Sequence, residues 1–290
     1  MNYLYIYFGE IPDYLRTSIN SVLSVDKEAK IFLCSTIDPN YKNVNYINPD
    51  DIASKLTKEA IDLNIYKDTS YDEKVNKLWN TSLIRIFYLS DFLKSTNEKE
   101  VVHFDSDVMI YKPFNELNNN FSLNKLNITE LNNEKLVFGY SYIPNYEVIK
   151  NICKDIFTFI NSKNYKENEY YKEHPLNEME ILGEVRNNNP NLFNSLPDLP
   201  TSVNDIIFDP ASYGQYLGGT HHKPKKWYLK KQPTLDHKVG QEIDSKGIIV
   251  KFKNKEPIVS YKNNICKIAN LHVHSKNLNK FIPKGYKNYL

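Results

Sequence analysis

The stretch Val101-Val102-His103-Phe104-Asp105-Ser106-Asp107-Val108-Met109-Ile110 sets two carboxylates at i and i+2 where an apolar strand runs out. Oxygen ligands so placed suit a hard divalent cation, Mg²⁺ or Mn²⁺. Such ions usually share their shell with substrate phosphates instead of sitting in an all-protein cage. A phosphate-bearing substrate is therefore the first expectation. The plainer role for a bare Asp-x-Asp is a polar turn in which Asp105 and Asp107 cap the next segment, and the surrounding elements have to decide between the two.

Immediately upstream, residues 73–93 carry apolar side chains at Val75, Leu78, Trp79, Leu83, Ile86, Phe87 and Leu89. That spacing predicts a helix with Lys77 and Arg85 on other faces, leading straight into the carboxylate strand. At the start of the chain, residues 3–8 form an aromatic and β-branched run ending at Phe8-Gly9. Pro12 and a helical pattern through Leu15, Ile19, Val22 and Leu23 follow, then a second strand at 30–34 and a weaker third at 44–47. This β-α-β opening predicts an α/β chain with a mostly parallel central sheet flanked by helices, whose ligands bind beyond the carboxyl ends of the strands. The two aspartates stand at such an end, and Tyr111-Lys112-Pro113-Phe114 reads as a turn out of the site.

Farther along, residues 136–142 read as an apolar strand and 146–160 as a helix burying Val148, Ile149, Ile152, Ile156, Phe157 and Ile160. The polar stretch 161–174 reads as an exposed loop or helix end, and 178–182 begins a short helix or turn. The segment Phe208-Asp209-Pro210-Ala211-Ser212-Tyr213-Gly214-Gln215-Tyr216-Leu217-Gly218-Gly219-Thr220 gathers glycine in a chain with only nine. Scarce glycine clustered in this way predicts a loop that approaches a ligand or adopts positive φ. Strands follow at 248–252, 258–261 and 268–276. Within the last, His272 and His274 project to one face, with Lys276 on it or just beyond.

The bulk composition narrows the function. A length of 290 residues is compatible with one catalytic domain, and a net charge of +2 does not suggest a nucleic-acid binder, although the C-terminal third is more basic than the rest. Cys34, Cys153 and Cys266 are few, odd in number and far apart, which fits reduced thiols better than a disulfide framework. The first residues lack a basic region followed by an apolar run, and no stretch approaches ~18 uninterrupted apolar residues. A cytoplasmic protein without a transmembrane segment, with at most peripheral membrane contact, is expected.

A histidine pair at i and i+2 is ordinarily a half-buried polar pair. Next to Lys276 and downstream of an Asp-x-Asp, it instead suits a metal shell, because carboxylates with neutral imidazole are a common mixed set for Mn²⁺.

These features together resemble the nucleotide-sugar-dependent glycosyltransferases of the GT-A fold, especially bacterial and large-virus enzymes that build surface polysaccharides. The likeness covers most of the chain. It rests on the β-α-β start, the helix with Arg85 leading into FDSDV, the FDPASYGQYLGGT segment and the terminal LHVHSK. It implies a single GT-A, Rossmann-like domain over 1–290. The nucleotide-binding half would be 1–115, ending in the DxD, and the acceptor-side half 116–290, ending in the metal and diphosphate strand.

The resemblance also implies roles for individual residues. Asp107 binds the metal directly, Asp105 touches ribose or metal, and a late histidine completes the protein ligands, His274 first and His272 second. Lys276 meets the diphosphate, Arg85 the nucleotide or donor sugar, and Phe8 and Gly9 border the base. Where glycogenin-like enzymes follow the histidine with a glycine and Lys-Pro-Trp, this chain has Ser275-Lys276.

The expected cofactor is Mn²⁺ or Mg²⁺, the donor a UDP- or GDP-sugar, and the acceptor a glycan or lipid-linked glycan, in a hexosyltransferase-like reaction of open stereochemistry. Departure of the nucleoside diphosphate builds negative charge on the leaving oxygen, which a metal and a lysine stabilise in a water-poor cleft. An inverting enzyme also needs a carboxylate to take the acceptor proton. Candidates are Asp209, whose plainer role is to start a turn before Pro210, and Glu180, whose plainer role is a solvated acidic edge beside Glu178.

His221, His222, Lys223, Lys225 and Lys226 read as a solvated basic loop or a contact to an anionic acceptor. Trp227 and Tyr228 read as core aromatics or a sugar platform. Two rivals share the fold: a metal-dependent nucleotidyltransferase and a non-catalytic sugar-binding protein. Against the first, Phe8-Gly9-Glu10-Ile11-Pro12 is no Gly-rich phosphate loop. Against the second, pure binding requires no metal at a leaving group.

Overall fold

A computed structural model describes residues 1–72, 74, 77–201, 204–219, 233–262 and 264–290. Its strands in chain order begin with β1 (Asn2–Tyr7), β2 (Lys30–Ser35), β3 (Val44–Ile47), β4 (Val101–Phe104) and β5 (Val108–Ile110). Then come β6 (Leu126–Glu130), β7 (Leu136–Ile143), β8 (Phe193–Ser195) and β9 (Ile206–Ile207). The series closes with β10 (Ile249–Lys253), β11 (Glu256–Tyr261), β12 (Asn264–Ile268) and β13 (Asn270–His272).

Seven of them form the central sheet in the order β3-β2-β1-β4-β7-β6-β8. Pairs β3-β2, β2-β1, β1-β4 and β6-β8 are parallel, while β7 runs antiparallel to β4 and to β6. The expected α/β chain with a mostly parallel sheet is thus the observed one. β1 shows why helices cover both faces. Leu4 points into a core with the helices Leu78–Thr96 and Tyr146–Asn161, and Tyr3 and Tyr5 point into another with Leu15, Ile19 and Val22 of the helix Asp13–Val25. Alternating side chains that are apolar on both sides require a three-layer sandwich.

The flanking helices carry their own boundaries. The Asn145 side chain accepts from the Val148 amide to start Tyr146–Asn161. Asn97, at φ 53°, adopts the left-handed conformation that ends Leu78–Thr96. That helix was expected from 73; Glu73 and Val75 lie outside the described residues, as do Thr220 and the whole basic segment with His221, His222, Lys223, Lys225, Lys226, Trp227 and Tyr228. The polar stretch after 161 forms two short helices, Lys163–Lys166 and Glu169–Glu173.

Two smaller sheets complete the fold, one in the order β10-β11-β12-β9 and one of β13 paired with β5. The strand expected over 268–276 is divided between β12 and β13, and His274 lies beyond its end. No helix among the described residues is long and apolar enough to cross a membrane. Cys34, Cys153 and Cys266 are buried free thiols.

Candidate metal and nucleotide site

Strand order reverses between β1 and β4: the sheet grows from β1 through β2 to β3 on one side and through β4 to β7 on the other. Such a switch point opens a crevice at the carboxyl ends of the two strands, where doubly wound sheets bind ligands. Phe8 and Gly9 leave β1 there, and Asp105 leaves β4. Asp105-Ser106-Asp107 is a turn closed by the Val108 amide donating to the Asp105 carbonyl at 3.1 Å, after which β5 begins.

β13 brings the histidine to this turn. It pairs antiparallel with β5, His272 opposite Val108, and the Val273 amide donates to the Asp107 carbonyl at 2.9 Å. The His272 Nε2 then lies 3.2 Å from Asp107 Oδ1 and 3.4 Å from Asp105 Oδ2. One donor atom from each of Asp105, Asp107 and His272 falls within 4.8 Å of the others.

The imidazole fits because β7 has glycine beside it. A Cβ on Gly139 would stand 2.7 Å from His272 Nδ1, a distance real side chains do not tolerate. That Nδ1 is buried without a hydrogen-bond partner, so packing against Gly139 holds the ring while Nε2 faces the carboxylates. Two carboxylates and an imidazole in this arrangement suit Mn²⁺ or Mg²⁺.

Cations crowd the same carboxylates. Lys276, in the left-handed region at φ 60°, ends a turn closed by its amide donating to Val273, and its ammonium hydrogen-bonds Asp107. Arg85 donates to Asp105 through Nη1 and reaches Glu178 through Nη2 at 3.3 Å. Burial alone would push the Asp107 carboxyl up, but His272 and Lys276 outweigh it and hold the carboxyl well below the usual range. Burial raises Glu178 despite Arg85. The Lys276 ammonium also lies 5.3 Å from the centre of the Tyr14 ring, whose hydroxyl interacts with Tyr7 and Ser106 and is raised by burial first.

Not every residue singled out in the sequence reaches this corner in the expected way. His274, the first choice for the ligand, packs its ring 4.5 Å from that of His272, and burial pushes it down to about 3; its Nε2 has no hydrogen-bond partner. The structure gathers His272 with the aspartates instead, because the β5 register ends at Val108. Phe8 packs its ring 5.4 Å from Tyr88, and Gly9, at φ 106°, donates its amide to Thr36 at 3.1 Å.

Asp209 is fully buried behind β13. Its carboxylate accepts backbone amides from Ser212 at 2.7 Å, Tyr213 and Gly214 at 2.8 Å each, and His272 at 2.9 Å. Burial raises its carboxyl from the ordinary value, opposed by the amides of His272, Gly214 and Tyr213. Ala211, at φ 65°, bends the chain so that the first three amides converge.

The glycine-dense segment expected as a ligand loop forms a helix over Tyr213–Gly218, and of its glycines only Gly219 has positive φ, 79°. Gly214 makes a close approach, but to protein: an added Cβ would stand 2.2 Å from the His272 carbonyl.

Glu180 closes a capping box at the start of the helix Glu178–Asn188. Asn177 accepts from the Met179 and Glu180 amides, Glu180 accepts from the Asn177 amide at 2.9 Å, and Lys135 pairs with it at 3.3 Å. Glu178, treated in the sequence as acidic edge, is the residue that helix start drives against Arg85. The Asn177-x-x-Glu180 spacing was the available signal.

No family model and no curated protein matches the sequence. Solved structures do. The chain is similar to mouse xyloside xylosyltransferase 1 in its apo form, at 11% identity, with 69% of this chain and 89% of that one covered and a TM-score of 0.46. Galactosyltransferase LgtC, in complex with donor and acceptor sugar analogs, matches at 10% identity over 81% and 84% of the two chains, TM-score 0.43. The apo-form glycosyltransferase GlyE of Streptococcus pneumoniae TIGR4 matches at 15% identity over 75% of this chain, TM-score 0.45, and the chain spans 48% of GlyE's length.

Proposed function

We propose that the chain is a metal-dependent glycosyltransferase of GT-A architecture that moves a sugar from a nucleoside-diphosphate donor to a glycan or lipid-linked glycan. The observation that carries this reading is the convergence of Asp105, Asp107 and His272 at the β1-β4 switch point, with Lys276 already on Asp107. Residues 1–115 are assigned to the nucleotide and 116–290 to the acceptor side.

A bound Mn²⁺ or Mg²⁺ would be held by Asp105, Asp107 and His272 and would supply Lewis-acid stabilisation of a departing diphosphate. The protein groups act around that position. Lys276 contributes a mobile positive charge beside Asp107, able to turn to a phosphate oxygen once another cation neutralises the carboxylate. Arg85 is held by Asp105 and Glu178 in the fork geometry that recognises sugar hydroxyls or phosphate. Phe8, Gly9 and Tyr14 line the approach from the nucleotide side.

Asp209 is assigned to positioning rather than to proton abstraction, since four amides occupy its oxygens. Glu180 is likewise assigned to the helix cap. No side-chain base is then left among the sequence candidates, an arrangement suited to a front-face retaining reaction.

Calorimetric titration of UDP and GDP with Mn²⁺ tests the proposal. Binding is expected to need the metal and to weaken at least about tenfold in Asp107→Asn while the far-ultraviolet spectrum is unchanged. Equal affinity in EDTA would overturn it. Nucleotide release from a panel of nucleotide sugars then identifies the donor without an acceptor.

A further inference from the structure

The small sheet β10-β11-β12 buries one face and exposes the other. Val250, Val259, Cys266 and Ile268 turn inward to a core with Ile243 and Ile248. The alternate residues turn outward, and the strand registers place them in rows. Ile249 lies opposite Ser260, which lies opposite Ile265; Lys251 lies opposite Ile258, which lies opposite Lys267. Ile249 and Ile265 are 53% and 66% exposed, among the most exposed large apolar residues described.

Charge surrounds these isoleucines. Lys253 extends the outward row of β10, Lys255 sits in the left-handed turn between β10 and β11 at φ 63°, and Lys262 follows β11 at φ 51°. Residues 249–267 hold five lysines against one acid, Glu256, and that acid is engaged by Lys112 at 3.3 Å. Among the described residues none of the five lysines forms an ion pair within the protein.

We propose that this face docks the protein on an anionic lipid surface. Three outward isoleucines, Ile249, Ile258 and Ile265, grouped around Ser260 and flanked by lysines, match an interface in which isoleucines enter the acyl boundary and ammonium groups meet lipid phosphates. Nucleic acid would use the lysines but leave the isoleucines in water. An acidic protein would not require two isoleucines to stand clear of the surface without a complementary pocket. The docking is independent of the sugar-transfer reading, because no residue of the face belongs to the Asp105-Asp107-His272 corner.

Co-sedimentation with phosphatidylcholine vesicles, with and without phosphatidylserine, tests it. Wild type is expected to partition onto the anionic vesicles only, and less as salt is raised. Lys251→Glu/Lys267→Glu is expected to lower the partition coefficient by roughly 30-fold or more, as loss of two surface lysines implies. Ile249→Ser/Ile265→Ser should weaken it as well.

Both variants should retain metal-dependent nucleotide binding, which separates a failure here from a failure of the proposed reaction. If the isoleucine variant does not fold, the lysine variant, altered only at exposed positions, decides the matter. Equal binding to neutral vesicles, no binding to anionic ones, or unchanged binding by the lysine variant would overturn the proposal. So would binding of duplex DNA or an acidic peptide through these residues in place of vesicles.

Discussion

Asp107 and Asp209 both sit against the short strand β13, and their carboxylates are engaged in opposite ways. Asp107 is met by side chains, the His272 imidazole at 3.2 Å and the Lys276 ammonium. Asp209 is met by four backbone amides, one of them from His272 itself. Side-chain partners can swing away and be exchanged for a ligand. Backbone partners cannot leave without dismantling the turn and the helix that supply them. One residue, His272, joins the two: Asp209 fixes its backbone and Asp107 receives its ring. The exchangeable carboxylate is thus aimed by the inexchangeable one.

The sharpest way to break this contrast is Asp209→Ala. Each buried amide left unpaired costs roughly 1–3 kcal/mol, so the four together should lower stability by about 4 kcal/mol or more in urea titration. Asp209→Asn should also lower Tm. A general base would behave differently, with kcat falling by about 10²-fold or more at unchanged stability, and that result would return Asp209 to the chemistry.

The next largest effects fall on the ring. His272→Ala should weaken Mn²⁺-dependent nucleotide binding by at least about 100-fold, beyond what loss of a merely orienting partner does, whereas His274→Ala should stay under about tenfold. The reverse order in calorimetry would restore His274 as the ligand. Gly139→Ala should give about tenfold, the size of a lost orienting contact, because its Cβ displaces the imidazole without removing it. If that variant binds as wild type does, the ring is not positioned by β7.

Local pattern carried much of this molecule. The β-α-β opening and the helix before the carboxylates follow from periodicity, and the strands there buried both faces as their composition implied. What local pattern did not carry is pairing at long range. β5 and β13 are three residues each and about 160 positions apart, so nothing nearby in sequence records that His272 faces Val108. That one register separates His272 from His274. Gly214 misled for a related reason: it makes a close approach, as scarce glycine suggests, but the partner is the His272 backbone. Glu180, a candidate base in the sequence, closes a capping box, a role that becomes legible only once the helix start is placed.

The smallest expected effect concerns Glu178. It shares Arg85 with Asp105 and is buried, and burial raises its carboxyl while Arg85 opposes the shift. In Glu178→Gln the guanidinium keeps one anionic partner, so no isolated charge is left and stability should change by only about 1 kcal/mol, unlike a pair broken outright. Arg85 should then lean more fully on Asp105, making that carboxylate a poorer acceptor for a divalent cation. Mn²⁺-dependent nucleotide affinity should fall about threefold, the size of one modest hydrogen bond. A loss above about 30-fold with normal stability would mean that Glu178 touches the ligand directly instead of holding Arg85. No loss at all would show that Asp105 alone fixes Arg85, and the side-chain half of the contrast would then rest on Asp107, His272 and Lys276.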